Sequence, residues 1–236
     1  MGYRFFRVEP SFWDLFPSAV IGVVIARGLD NRRNADRCST LLVEAASDAA
    51  ARLGDQEMSA HPAVAPWREA YRAFGAKPAK FRSSIENLLR SARTGSIRGI
   101  NPLVDLYNTV SLRRMLPCGG EDLAAIRGDL LLTRAVGGEH FVPLGMEEEQ
   151  PPSPGEVIYR DDLGVICRCW NWREADRTKL TADTTDAFLC IEGLLPAGVV
   201  EVRAACDDLA GLVREHLGGA TVTHILRTGD GDLRFA

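Results

Sequence analysis

The chain has 236 residues, of which 46% are hydrophobic, and its formal net charge is -4 at pH 7. This length and apolar content allow a sizeable hydrophobic core and exclude an intrinsically disordered chain. The isoelectric point near 5.6 gives no global electrostatic reason to expect nucleic-acid binding, although a local basic patch still allows contacts with phosphates.

The N-terminus contains no apolar segment of secretory length, and no later stretch is long enough to span a bilayer. We therefore expect a cytoplasmic protein with no membrane contact. The 6 cysteines form no C-x-x-C motif, and the 4 histidines are scattered without ligand spacing. We expect reduced buried thiols, no metal site and no cofactor.

The first third of the chain predicts one buried strand followed by helices. The β-branched run 19–26 lies between Pro17 and Gly28, which is typical of a central strand buried on both faces. Apolar residues at helical spacing then predict three helices, each ending at a glycine: Gly54, Gly75 and Gly95.

A basic loop leads into the third of these helices. It contains Lys77, Lys80 and Arg82, and the helix then begins at the capping-box pattern Ser83-x-x-Glu86. Positive side chains and free N–H groups at a helix entry attract phosphate, so these three basic residues are candidates for nucleic-acid binding. A surface loop with no ligand is equally consistent with the pattern.

Asn101 and Pro102 predict the start of a further helix, because Asn is a good N-cap and Pro is tolerated in the first turn. Its apolar stripe consists of Leu103, Leu106, Tyr107 and Val110. Asp105 and Asn108 share a face close to that stripe. Polar groups beside a core stripe need partners, and they serve either a structural network or a pocket.

Short apolar runs predict that strands dominate the second half. After residues 117–122 and a short helical piece, we expect strands at 130–136, 141–144, 157–159, 165–171, 188–194 and 221–226, a hairpin turn at 161–164 and a helix at 207–217. The strand 165–171 would place Cys167 and Cys169 on one face. With no internal repeat or low-complexity linker, the fold class is α+β, with mixed sheets and packed helices.

Standard catalytic signatures are mostly absent. The chain has no Gly-x-Ser-x-Gly elbow, P-loop, dinucleotide fingerprint or metalloprotease helix. A polar cluster remains at 178–186, with four hydroxyls and two carboxylates, preceded by the stretch 170–174. Such clusters line pockets, but they also often make turns.

Two separated segments carry a more specific set of motifs. The first runs from Ser83 to Asp122 and contains Ser84, Leu88-Leu-Arg90, Gly99, Asn101, Val104-Asp105, Asn108, Pro117 and Asp122. The second is Leu180-Thr-x-x-Thr184 followed by Glu192. In this order they resemble the B3/B4 domain of the β subunit of bacterial phenylalanyl-tRNA synthetase. The motif-bearing part covers about residues 60–195, and the chain is similar to free-standing B3/B4 proteins, which implies one B3/B4-like unit over residues 1–236.

The resemblance implies a trans-acting editing hydrolase that deacylates mischarged aminoacyl-tRNA, with tRNA or aminoacyl-tRNA as the partner. The chain lacks class II synthetase motifs, so it is not a complete aminoacyl-tRNA synthetase. By alignment with this family, the helix end 118–120 and the stretch 171–174 flank the pocket. The implied catalytic residues are Glu174, which would position a water, and Asn171. The implied substrate-binding residues are Asn101, Asp105, Asn108, Cys118, Gly119, Gly120, Arg168, Thr181 and Thr184, with Arg168 facing the terminal adenosine or phosphate.

One position departs from the synthetase pattern. Gly119 stands where that pattern commonly carries a histidine, and glycine offers no side chain to act as a base. Either Glu174 and backbone N–H groups suffice, or the ribose hydroxyl of the substrate assists, or catalysis has been lost. The glycines also widen the pocket, which argues against inherited tyrosine specificity. The alternative function is a non-catalytic module that binds tRNA or an amino acid.

Overall fold

The computed structural model describes residues 3–195 and 197–235. Helices and strands are numbered in chain order. The α-helices are α1 (Pro10–Trp13), α2 (Ala35–Leu53), α3 (Ala65–Ala73), α4 (Ser84–Arg93), α5 (Pro102–Arg114) and α6 (Val199–His216), and a short 3-10 helix covers Met58–Ala60. Together with two β-sheets they form an α+β fold, as the sequence predicts.

The first sheet is antiparallel and has four strands in the order β3 (Cys118–Asp122), β8 (Ala187–Gly193), β2 (Val20–Arg27) and β9 (Ala220–Leu226). The predicted central strand is confirmed as β2. Its continuous apolar run is buried because α6 covers one face of this sheet and the second sheet covers the other. Gly22 lets α6 approach, since a Cβ there would lie 2.4 Å from Cys206 Sγ.

The second sheet has six strands in the order β10 (Leu233–Arg234), β1 (Phe5–Val8), β4 (Leu130–Arg134), β5 (Val157–Asp161), β6 (Gly164–Arg168) and β7 (Arg173–Glu174). Only the β1–β4 pair is parallel among these neighbours. The sequence did not predict β1 or β10, because both are too short to show alternation. The sheets face each other, with the Phe6 and Phe188 rings 5.1 Å apart.

The helices that the sequence predicts in the first half are present. Gly54 follows α2 with a φ of 52°, and Ser83 Oγ accepts a hydrogen bond from Glu86 N at the start of α4. The prediction that the Glu86 side chain completes this capping box was wrong, because its buried carboxylate accepts hydrogen bonds from Arg68 and Arg90 instead. Helix α6 begins at Val199 rather than at residue 207.

Two predictions around α5 were wrong. Met115, with a φ of 55°, ends α5, and residues 118–122 form the edge strand β3 instead of a helix end. The expected short helical piece after Asp122 is a turn. The glycine pair is tolerated in this strand because β3 packs closely on its neighbours. Strand propensity, which depends on the local sequence, does not predict such packing.

Two predicted strands are shorter than expected. Residues 141–144 form only an isolated bridge between Pro143 and Ala175, because a proline has no N–H to continue a ladder. Strand β6 ends at Arg168, since Cys169 and Trp170 have φ values of 45° and 63° and turn the chain. Cys167 and Cys169 therefore do not share a strand face. No helix in ranges 3–195 and 197–235 is long and apolar enough to cross a membrane.

Candidate functional site

A cavity of about 360 Å³ lies between the facing sheets and is bounded by α4 and α5. The four-stranded sheet contributes Gly119, Glu121, Phe188, Cys190 and Glu192, and the six-stranded sheet contributes Tyr159, Ile166, Cys167, Arg173 and Glu174. Ser84, Leu88, Tyr107 and Asn108 come from the helices, and Trp170, Asn171 and Trp172 come from the turn after β6. The walls are largely apolar, and carboxyl groups stand among them.

The two adjacent glycines of β3 have different surroundings. A Cβ at Gly119 would lie 3.2 Å from Glu174 Oε1, whereas a Cβ at Gly120 would lie 2.5 Å from Leu189 Cδ2. Successive residues of a strand point to opposite faces, so Gly119 borders the space near Glu174 and Gly120 allows close packing. Gly119 therefore enlarges the cavity at the place where Glu174 ends.

The outer edge of β3 brings the backbone N–H of Gly120 to Glu174. Glu192 N donates to Pro117 O, which makes this pair a hydrogen-bonded pair and directs the N–H of Gly120 away from β8. Gly120 N lies 3.5 Å from Glu174 Oε1, at the limit of a hydrogen bond, and Asp122 N donates to Thr178 O. The carboxylate thus stands beside a polar strand edge that a ligand can also reach.

Glu174 and Glu121 are an interacting pair of carboxyl groups. Burial raises the pKa of the half-buried Glu174 to about 7, and the nearby Gly120 N–H opposes that rise. Burial, followed by the charge of Glu174, raises the pKa of Glu121 well above its usual range. The Thr178 hydroxyl opposes this second rise, although it makes no hydrogen bond in the described part of the chain. At neutral pH this pair holds a proton that solvated carboxylates would have lost.

Glu192 also faces the cavity, but its oxygens are occupied. Its Oε1 accepts hydrogen bonds from Tyr159 Oη and from Trp170 Nε1, at 2.5 and 2.6 Å. Its Oε2 accepts one from Asn171 Nδ2 at 2.6 Å, while Asn171 Oδ1 accepts one from Tyr71 Oη at 2.9 Å. Burial raises the pKa of Glu192 to about 7 despite these donors. The network fixes the orientation of the Asn171 side chain at the cavity wall.

The structure brings several of the sequence-predicted site residues together around this cavity. They are Asn108, Cys118, Gly119, Gly120, Asn171 and Glu174. Burial raises the pKa of Cys118 well above its usual range, so its thiol is protonated at neutral pH. The catalytic and substrate-binding roles of these residues remain predictions.

Arg168 lies outside the cavity lining. Its Nε and Nη2 each donate to the Glu156 carboxylate at 2.8 Å, and its Nη1 donates to Gln150 O. Both side chains of this ion pair are less than a tenth exposed. The predicted contact of Arg168 with an adenosine or phosphate therefore has no support from its position, because Glu156 and Gln150 occupy its guanidinium.

Other predicted substrate-binding residues belong to a second polar group, which we name the capping cluster: Asn31, Asn101, Asp122, Thr181 and Thr184. Asn101 Oδ1 accepts from Val104 N and from Asn31 Nδ2, and its Nδ2 donates to Leu180 O. Thr184 Oγ1 accepts from Thr181 N and donates to Asp122 Oδ2. These contacts join the start of α5 to the loop before β8, away from the cavity.

Asp105 has a similar structural environment at the start of α5. Its Oδ1 accepts a hydrogen bond from Ile100 N at 2.8 Å, and burial raises the pKa of its carboxyl group. A Cβ at Gly99 would lie 2.8 Å from Asp105 Oδ2, so this glycine makes room for the carboxylate. Asp105 lies outside the cavity lining as well.

The basic loop lies beside the cavity. Lys77, Lys80 and Arg82 are exposed, and the Phe81 ring packs edge-on against Trp172, whose side chain lines the cavity. Part of the positive charge around this loop is paired, since Arg68, Arg82 and Arg90 approach the single buried Glu86. The charges of Lys77 and Lys80 are carried by the exposed loop.

Sequence analysis missed Glu121 as a site residue and named Glu192 only as part of a motif. The signal for Glu121 was its i, i+2 relation to Gly119, which places both on one face once residues 118–122 are a strand. Treating these residues as a helix end hid that relation. Within the described residues, no group of three or more His, Cys, Asp or Glu side chains is arranged to hold a metal ion.

Comparison with known proteins identifies a matching domain family and a similar solved structure. The B3/4 domain model matches residues 66–213. No curated protein matches the chain. Among solved structures, an N-terminal fragment of the phenylalanyl-tRNA synthetase beta-subunit from Pyrococcus horikoshii is similar, with 14% identity and a TM-score of 0.51 over 95% of this chain and 54% of that chain.

At 14% identity the likeness to this structure shows the fold alone, and the chain spans about half the length of that fragment. The family match, by contrast, covers more than half of the chain and contains β3, both carboxyl groups of the interacting pair and the Glu192 network. The protein therefore belongs to the B3/4 domain family.

Proposed function

We propose that this protein is a trans-acting hydrolase that removes a wrongly attached amino acid from tRNA. One observation carries the proposal: a carboxyl group with a pKa near 7, Glu174, stands in a cavity beside the free N–H edge of β3. A general base is most effective when its pKa lies near the operating pH. An aminoacyl ester is activated, so no covalent nucleophile is required.

In this mechanism Glu174 binds a water molecule and accepts one of its protons as the water oxygen attacks the ester carbonyl carbon. The N–H of Gly120 at the edge of β3, which makes only a long contact in the free protein, stabilises the negative charge that develops on the carbonyl oxygen. The bond between the carbonyl carbon and the ribose oxygen then breaks, and the proton held by Glu174 passes to that oxygen. The products are a free amino acid and an uncharged tRNA.

Asn171 supports this reaction as a positioning residue. Its amide is held between Tyr71 and Glu192, so its orientation at the cavity wall is fixed before a ligand arrives. Fixed polar groups lower the cost of arranging a water or a carbonyl group in the reactive geometry. This role matches the preorganised network and requires no proton transfer by Asn171 itself.

The partner that we propose is aminoacyl-tRNA in the cytoplasm. The similar solved structure is part of a tRNA synthetase, and the exposed loop with Lys77, Lys80 and Arg82 lies next to a cavity wall through the Phe81–Trp172 contact. Exposed lysines and arginines at this place offer contacts to the backbone phosphates near the tRNA end. The cavity then accommodates the aminoacyl group.

The test is deacylation of a panel of mischarged tRNAs by the native chain, by Glu174→Gln and by the matched control Glu44→Gln. Glu44 is an exposed carboxylate on α2 and lies 3.7 Å from the guanidinium of the equally exposed Arg37. We expect turnover of one or a few substrates, a loss of about 100-fold or more in Glu174→Gln, and no change in Glu44→Gln. Equal turnover in both variants would remove Glu174 from the reaction.

The second candidate is a binding module without turnover. It is favoured by the cavity lining, which contains no histidine among the described residues, and by Gly119 at the position of the synthetase histidine. In that case tRNA would bind with an affinity that falls steeply as salt concentration rises, while every ester of the panel would remain intact. Specific turnover would exclude this candidate.

A further inference from the structure

Two tryptophans of the turn after β6 have contrasting surroundings. Trp170 is fully buried, and its Nε1 donates to Glu192. Trp172 is only half-buried, although it packs against the hydrophobic core and lines the cavity. The half-buried Phe81 meets it edge-on, with the ring centroids 4.7 Å apart. This pair of Phe81 and Trp172, which we name the aromatic platform, therefore remains partly accessible to a ligand.

The aromatic platform stands where the cavity opens to solvent. Asn87 on α4 and Arg173 on β7 are exposed, and both line the cavity. Trp172 directly precedes Arg173 in the chain. Asn87 Nδ2 donates to Arg82 O at 3.3 Å, next to Phe81. A ligand that enters the cavity between α4 and β7 therefore passes the two rings.

Three cationic groups lie close to the aromatic platform. Lys80 Nζ is 5.1 Å from the centre of the Phe81 ring. Arg173 Cζ is 5.5 Å from the centre of the Trp172 ring. The guanidinium of Arg168 approaches both rings, at 5.7 and 5.6 Å, but it is buried and its charge is already paired with a carboxylate. Arg168 therefore supports the rings from the interior, whereas the exposed Lys80 and Arg173 are placed to bind an anion beside them.

Aromatic rings flanked by exposed cations are typical of sites that bind single-stranded nucleic acid. Bases of any identity stack on the rings, while lysines and arginines contact the phosphates. An acidic peptide would use the cations but would leave the rings without a partner. In the substrate of the proposed function, the aminoacyl group is esterified to the ribose of an unpaired terminal nucleotide. When the aminoacyl group occupies the cavity, that ribose lies at the opening and its base lies beside the aromatic platform.

We propose that the aromatic platform stacks the terminal base of an unpaired RNA strand, with Lys80 and Arg173 beside the adjoining phosphates. That this strand is the 3′ end of tRNA rests on the proposed function. Trp172 is the principal stacking residue, because it also lines the cavity that receives the aminoacyl group. Stacking holds the ester at the cavity opening, so the platform raises the affinity for tRNA and leaves the chemical step to Glu174.

The direct test compares the binding of two unacylated strands to the native chain by fluorescence anisotropy. One is a short single-stranded RNA that ends in CCA and is labelled at its 5′ end, and the other lacks only the terminal base. We expect the complete strand to bind about tenfold more tightly, because the other loses one stacked base. Both affinities should fall as salt concentration rises while their ratio persists, since the phosphate contacts carry the salt dependence. Equal affinities, or no binding of either strand at low salt, would overturn the platform.

Matched variants test the assignment to Trp172. In Trp172→Leu the two strands should bind equally, whereas Trp172→Phe should retain a preference for the complete strand. The control is Trp13→Leu, because Trp13 is likewise half-buried and meets Phe12 edge-on at 5.1 Å, but lies outside the cavity lining. This control should keep the full preference. An undiminished preference in Trp172→Leu would overturn the assignment.

A kinetic assay separates this proposal from the proposed function. With a mischarged tRNA that the native chain deacylates, Trp172→Leu should lower kcat/KM about tenfold, mainly through a higher KM, whereas Glu174→Gln acts mainly on kcat. An unchanged kcat/KM in Trp172→Leu would overturn the platform and leave the hydrolase intact. A preference for the complete strand with no deacylation of any tRNA would overturn the hydrolase and leave the platform intact.

Discussion

The capping cluster and the cavity are two polar regions of the same protein, and they differ in how completely their groups are satisfied. In the capping cluster, Asn31, Asn101 and Thr184 donate to and accept from other parts of the chain. In the cavity, within residues 3–195 and 197–235, one oxygen of Glu121 is without a hydrogen-bond partner, and Glu174 has only a long contact to Gly120 N.

Whether a polar group already has hydrogen-bond partners distinguishes a structural group from a candidate ligand-binding group better than its residue type does. Both regions contain carboxylates and short polar side chains, and the sequence motifs run through both. A network whose donors and acceptors already match stabilises the fold and has little left to offer a ligand. A buried group that lacks a partner destabilises the free protein and gains most from ligand binding. Glu192 is the informative intermediate, because it lies in the cavity but is fully hydrogen-bonded.

The largest expected effect comes from Glu192→Ala. The substitution leaves the donors of Tyr159, Trp170 and Asn171 without an acceptor, and each buried unsatisfied group costs about 1–3 kcal/mol. We expect the free energy of unfolding to fall by about 4 kcal/mol, measured by denaturant unfolding. Glu192→Gln, which retains one acceptor oxygen, is the control and should lose clearly less. Near-native stability of the alanine variant would place Glu192 with the ligand-binding groups.

Asn101→Ala tests the capping cluster. It removes the N-cap of α5 and the partners of Asn31 Nδ2 and Leu180 O, so we expect a loss of about 3 kcal/mol in unfolding free energy. Asn101→Asp retains the cap but loses the donor to Leu180 O, and should fall between. At a temperature where the variant is folded, deacylation should match the native rate. A specific loss of substrate affinity would instead return Asn101 to the binding site.

Glu174→Gln should act in the opposite direction on stability. The folded pKa of about 7 lies above the ordinary value of 4.5, so the folded state holds a proton that the unfolded state has lost between these values. The contribution of Glu174 to native stability therefore falls as the pH rises from about 5 to about 8, and a glutamine removes this contribution, while the raised pKa values of Glu192 and Glu121 leave a smaller slope in the variant. Allowing for partial solvent access, we expect the variant to be more stable by about 2 kcal/mol at high pH.

The measurement is unfolding free energy against pH for both proteins, and the two curves should meet at the acidic end. A variant that is less stable than the native chain at high pH would mean that Glu174 is ionised and paired in the free protein. Glu174 would then have its partners in the free protein, as the groups of the capping cluster do, and the difference drawn between the two regions would be wrong.

Thr184→Val is expected to have the smallest effect. Valine has nearly the same shape but cannot accept from Thr181 N or donate to Asp122 Oδ2, so we expect a loss of about 1–2 kcal/mol. Thr184→Ser retains the hydroxyl and serves as the control. Turnover of a mischarged tRNA should be unchanged in both variants, which thermal unfolding and a deacylation assay check together. A selective loss of turnover in the valine variant would contradict a purely structural role.

The sequence predicts some elements of this fold correctly and misses others. The apolar run of β2 and the N-cap at Asn101 are local signals, and both predictions are confirmed. The edge strand β3 was mistaken because two glycines and a proline carry a weak strand signal on their own. These residues form a strand because they pair with β8, and a glycine at position 119 leaves the space that Glu174 occupies.

The sequence by itself determined the α+β class, the family and six of the residues that line the cavity, because periodicity, caps and motif spacing are properties of neighbouring residues. The sequence did not show that these six residues line the cavity whereas Arg168 and the capping cluster lie outside its lining. Only the tertiary structure did so, since hydrogen-bond partners and burial depend on groups far apart in the chain. Arg168 has Glu156 and Thr184 has Asp122, whereas the Glu121 oxygen has no partner among the described residues.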